Sequence, residues 1–142
     1  VMDPIRGYTV LLRQVIRRRR ALPTQLRSLS VSGVVWKASA EDAPVLQLFT
    51  KKDCSLCDDM KDVLAEVRED FPHTLIAVDI TDSENRDWFR FYKFDIPVLH
   101  LQAKFLAKHR VTTKQLKEAL VEASTVEGFL GRPGDPREHK KS

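Results

Sequence analysis

At 142 residues the chain fits one compact domain and is long enough to bury a real core. Its net charge of +4 is unevenly spread: residues 1–40 carry eight Lys/Arg against Asp3, a net +7, which leaves −3 for everything after them. A mildly acidic body argues against a nucleic-acid-binding protein, and no apolar run is long enough to cross a bilayer.

Residues 1–43 are expected to form a basic, disordered leader. The segment is rich in Arg and Ser and nearly free of acids, the composition of a mitochondrial transit peptide. Tyr8, Leu11, Leu12, Val15 and Ile16 can share one helix face, with Arg13, Arg17 and Arg20 off it, until Pro23 interrupts. The apolar stretch Tyr8–Leu12 is too short for a secretory core, and Arg17–Arg20 follow it rather than precede it. The expected location is therefore mitochondrial, and otherwise cytoplasmic. A basic arm touching phosphates and an unselected extension are the other readings of this composition, and no aromatic platform accompanies the arginines.

From Pro44 the chain alternates. Val45–Phe49 is apolar and reads as a strand, and Ser55–Glu69 reads as a helix with Leu56, Met60, Val63, Leu64 and Val67 on its inner face. The chain's two cysteines, Cys54 and Cys57, stand where the strand gives way to the helix, one just before its start and one in its first turn. Two cysteines separated by two residues, between a strand and a helix, form the redox signature of a thioredoxin-like unit. Unpaired N–H groups and the dipole at a helix start stabilise an anion, and only the thiolate is nucleophilic. Lys51 adds a favourable charge, while Asp53 works the opposite way. Zinc needs three or four ligands, and His73, His100, His109 and His139 are scattered without ligand spacing, so no metal site is expected. A chance pair in a buried helix and a static disulfide staple are the other readings, the staple belonging mostly to small secreted folds.

Thr74–Asp79 reads as a central strand, and Ser83–Tyr92 as a helix capped by Ser83 and anchored by Trp88, Phe89 and Tyr92. Pro97–Leu101 and Lys104–His109 form a hairpin around Gln102-Ala103. A last helix runs to Ala123, and Thr112 with Gln115 matches a capping box. The Gly- and Pro-rich segment 125–142 is expected to be a flexible tail.

The stretches "FTKKDCSLC" and "KFDIPVLHL", followed by the hairpin and helix, resemble the glutaredoxin-like branch of the thioredoxin superfamily over residues 44–124. The resemblance implies an α/β, thioredoxin-like fold of glutaredoxin-type order β-α-β-α-β-β-α. Its mixed sheet would have four strands with flanking helices. It further implies that Cys54 is exposed at a helix start, and that Ile96-Pro97 is a cis peptide facing the cysteines. The backbone of Ile96 would be free to pair with a peptide or glutathione, and Lys51 would contact a glutathione carboxylate. Two departures stand out. Ser55-Leu56 replace the Pro-Tyr that dithiol glutaredoxins carry between the cysteines, and Ala107 and Lys108 replace a Gly-Gly pair that lets glutathione approach the backbone.

The expected function is thiol–disulfide exchange, with Cys54 as nucleophile and Cys57 resolving the mixed disulfide. The expected partner is a disulfide-bearing protein or glutathione, the latter as co-substrate rather than a tightly bound cofactor. Neither nucleic acid nor a membrane span is expected, and the chain should be a monomer. Two rivals stay open: a redox-inert thioredoxin-fold binding module, and a protein handling iron–sulfur clusters or copper.

Overall fold

The computed structural model describes residues 32–139. The arginine-rich stretch, with its expected helical face, lies outside the described residues.

The strand pattern folds into one mixed sheet. Its centre is β2 (Val45–Thr50), which runs parallel to β3 (Thr74–Asp79), Leu46 opposite Leu75 and Phe49 opposite Val78. On its other side β2 pairs antiparallel with β4 (Val98–Leu101), which forms a hairpin with β5 (Lys104–Lys108). The hairpin turn is Gln102-Ala103, both with positive φ (52° and 67°), the sense of twist that two-residue hairpins require.

Among the described residues the sheet has five strands, not four. The additional strand, β1 (Gly33–Trp36), pairs antiparallel with the outer edge of β3, giving the order β1-β3-β2-β4-β5. The folded unit therefore begins inside the expected leader. Trp36 is buried in the main core beneath the Arg68 guanidinium, 5.0 Å from its ring. Ser32 Oγ accepts the Asp79 N–H at 2.8 Å and donates to Asp82 Oδ2 at 2.7 Å, which fixes the start of the strand.

Both faces of the sheet are covered. Helix α1 (Ser55–Asp70) packs beside α3 (Thr113–Ala123) on one face, over Leu46, Leu48, Leu75, Leu99 and Leu101. Helix α2 (Arg86–Tyr92) belongs to a second cluster containing Phe49, Val98, Ile96, Ile80 and Cys57. Because β4 lies between two covered faces, all four of its residues are buried. The capping box at α3 is complete: Thr112 Oγ1 accepts from the Gln115 N–H and Gln115 Oε1 from the Thr112 N–H. The expected Ser83 cap is not formed. Residues Ser83–Asn85 make a 3₁₀ turn instead, and α2 starts at Arg86, with Asn85 Nδ2 donating back to the Asp79 carbonyl at 2.8 Å.

The segment after Thr125 is also part of the fold as far as it is described. Phe129 is buried in the main core, and the Arg132 N–H donates to the Phe105 carbonyl at 2.9 Å along β5. The chain then passes to the α2 side, where Asp135 is buried against Tyr92. This strap covers part of the open edge of β5, a place where unpaired backbone groups would otherwise invite further strands. Among the described residues no helix is long and apolar enough to cross a membrane.

Candidate redox site

The loop leaving β2 carries Lys51, Lys52 and Asp53, all exposed, before the chain enters α1. Asp53 has φ +59°, a left-handed conformation that Asp tolerates better than most side chains. It delivers Cys54 to the N-cap of α1 in extended geometry. The Cys57 N–H donates to Cys54 Sγ at 3.2 Å, as a capped N3 amide does to serine or threonine. That amide and the helix start both favour negative charge on the Cys54 sulfur.

Cys54 and Cys57 are joined as a disulfide, with their Cα atoms 5.2 Å apart. Cys57 is buried at 1 % exposure, whereas Cys54 is half-buried and open to approach. Ile96-Pro97 is cis, and Ile96 shares an apolar cluster with Cys57, against which Cys54 also packs. The fold thus brings Cys54, Cys57 and Ile96 together, with Pro97 next in the chain and Lys51 on the loop leading to them.

One expectation at this loop is corrected. The Ile96 N–H is not free: it donates to the Tyr92 carbonyl at 3.1 Å, and the Asp95 N–H donates to the same oxygen at 2.8 Å. The chain turns back on the last residue of α2, so the helix end takes the donor that an incoming strand would use. Opposite, Lys108 pairs in register with Val98 and extends its ammonium to Asp95 Oδ1 at 3.4 Å. Ala107 is half-buried beside Leu99. Both positions therefore carry side chains where the resemblance would place two glycines.

Behind the disulfide lies a polar network that the sequence alone does not reveal. Tyr92 Oη is 2.8 Å from His100 Nε2 and donates to Asp135 Oδ1 at 3.3 Å. Arg137 clamps Asp135 through Nε and Nη2, at 2.9 and 2.7 Å, and lies over the rings of Trp88 and Tyr92. Phe49 packs at the centre, with ring centroids 4.4 Å from Trp88, 4.7 Å from His100 and 5.1 Å from Tyr92. Burial, with some help from Arg137, pushes His100 down to about 4, so it is a neutral partner. Burial raises the Tyr92 phenol. Burial alone would raise Asp135, but hydrogen bonds from Arg137 outweigh it and hold the carboxyl below its ordinary value. The one sequence signal here is a histidine inside the apolar run "IPVLHL"; nothing near Asp135 marks it as a partner. Among the described residues no group of three or more His, Cys, Asp or Glu gathers that could hold a metal ion.

A half-exposed cysteine capping a helix, a buried cysteine one turn in, and a cis proline beside them define a thioredoxin-superfamily site. Residues 45–121 match the family described as the Glutaredoxin-like domain (DUF836), and the chain belongs to that family. A Dictyostelium discoideum protein named as glutaredoxin-like is 35 % identical over 75 residues, covering 50 % of this chain and 69 % of that one. Both β1 and the C-terminal strap lie outside the span of the family match.

Proposed function

We propose that the protein is a thiol–disulfide oxidoreductase acting through Cys54 and Cys57. The observation that carries this reading is the Cys57 N–H aimed at Cys54 Sγ at 3.2 Å, at the start of α1. In the reduced protein the Cys54 thiolate attacks one sulfur of a substrate disulfide and expels the other as a thiolate. Cys57 then loses its proton to solvent and attacks Cys54 Sγ, releasing the second substrate thiolate. The substrate gains two electrons, and Cys54–Cys57 becomes the disulfide.

The test is a redox titration of the full chain, with alkylation and mass measurement at each potential. Two thiols should appear and disappear together as the buffer passes from reducing to oxidising. A pair that stays locked as a disulfide, or never closes, would favour the redox-inert binding module. Visible absorbance from bound metal, with the pair unable to cycle, would favour metal handling.

Glutathione is a poor substrate in this reading. Ala107 and Lys108 place side chains along the strand where close backbone approach is needed, and Lys108 reaches across to Asp95. Reduction of a glutathionylated small substrate should be slow, and should improve when both residues are changed to Gly. Turnover by the natural sequence at about 10 per second or more would show that the groove is open.

The arginine-rich segment is read as a mitochondrial address. Since Ser32 is tied to Asp79 and Asp82 and β1 begins at Gly33, a cleavage that preserves the fold falls before Ser32.

A further inference from the structure

Between the end of α2 and the cis peptide lies a surface that the redox chemistry does not use. Phe94 is 77 % exposed and Phe89 41 % exposed, both unusual for so large an apolar ring. The Lys93 ammonium lies 5.0 Å from the Phe94 ring centroid and 5.7 Å from that of Phe89, so it joins the two into one patch. The patch is held in place. The Lys93 N–H donates to the Phe89 carbonyl at 3.0 Å, the Asp95 and Ile96 N–H groups both hold the Tyr92 carbonyl, and Lys108 fixes Asp95.

From this geometry we infer that Phe89, Lys93 and Phe94 form the docking surface for a polypeptide substrate that carries an apolar side chain and a carboxylate beside its disulfide. The inference rests on the redox reading above. Phe94 lies two residues before Ile96, which shares the cluster of Cys57, so the chain leads directly from this surface to the site of exchange. A substrate strand cannot use the Ile96 N–H, which is already bonded, so side-chain contacts gain weight in its recognition. Desolvating an exposed phenylalanine face against an apolar side chain favours the encounter complex. Lys93 sets the sign of the partner. It is the exposed cation at the patch itself, where Asp95 is matched by Lys108 and Asp87 by Arg90, whereas Lys51 and Lys52 share the loop before the disulfide with exposed Asp53. A cation over aromatic faces still attracts a carboxylate from the solvent side.

The test uses the pre-reduced full chain in single-turnover reactions with three probes. The first is a peptide with Phe-Asp beside its cystine, the second the same peptide with Phe-Lys, and the third 2-hydroxyethyl disulfide. The natural chain should prefer the Phe-Asp peptide. In Phe94→Ser the ratio of its rate to that of the small disulfide should fall about tenfold. In Lys93→Glu the preference between the two peptides should invert, a change that mere loosening of the loop would not cause. Equal rates on both peptides in the natural chain, or equal losses on all three probes in the variants, would overturn the docking surface while leaving exchange intact. Failure of the natural chain to reduce even the small disulfide would overturn the redox reading and the docking surface with it.

Discussion

Serine in place of Cys54 should lower disulfide exchange by at least about a thousandfold, because a hydroxyl has no thiolate-like population at neutral pH. Serine in place of Cys57 should do something different: the protein should still attack, and then hold its substrates as mixed disulfides. The asymmetry follows from placement. Cys54 caps α1, is half-exposed and receives an amide N–H on its sulfur, whereas Cys57 is buried at 1 % exposure among Phe49, Ile80 and Val98. Reduced protein near neutral pH should therefore be alkylated by iodoacetamide at Cys54 first, with a thiol pKa below the free value of about 8.5. Trapped adducts in the Cys57→Ser protein, resolved by non-reducing electrophoresis and mass, give the second readout. Faster labelling of Cys57, or trapping by Cys54→Ser instead, would reverse the assigned roles.

The same placement explains which features could be read from the amino acids. The cysteines announce themselves because a strand, a turn and a helix follow one another locally, and each has its own periodicity. The capping box is local too, and Thr112 and Gln115 meet as expected. By contrast β1 is four residues long and finds its partner about forty residues later, in a segment whose arginines dominate its composition. Only the Val-Val-Trp run hints at a strand, and its meaning depends on the free edge of β3. The strap is hidden for a related reason. Phe129 and Asp135 are single residues in a Gly- and Pro-rich stretch, and no period links them to the layers they join. Ser83 does not cap α2 because Ser83–Asn85 close into a 3₁₀ turn, with Asn85 donating to the Asp79 carbonyl and Asp82 engaged by Ser32; the second of these contacts exists only once the segment leading into β1 is docked. The aromatic patch at Phe94 illustrates the converse. Phe89 is expected to anchor α2 with Trp88 and Tyr92, yet it is 41 % exposed, and the turn after Tyr92 leaves Phe94 outside as well.

Acid should destabilise the oxidised protein well before its carboxylates titrate. His73 and His100 are buried at 0 and 1 % exposure, and burial pushes each down to about 4. Around His73 the Phe71 carbonyl works against that shift and Arg68 adds to it; around His100 Arg137 adds to it and Asp135 opposes it. Both rings are therefore neutral in the fold, while the unfolded chain protonates them near 6.5. Between about pH 6.5 and 4 the unfolded state binds more protons, so stability falls as the pH drops through that window and is fully present above it. Each histidine can contribute up to about 3 kcal/mol of loss. Asp135 acts in the same direction at lower pH, since its carboxyl is held below its ordinary value and its stabilisation disappears only as that group protonates. Urea melts at pH 7 and pH 4.5, with the disulfide kept closed, should show a drop of several kcal/mol. In His100→Gln the drop should shrink by about 2–3 kcal/mol, even though the variant starts less stable because Tyr92 loses its ring partner. Equal stability at the two pH values would mean that the histidines are not neutral in the fold, and that the buried Tyr92–His100 contact carries a charge.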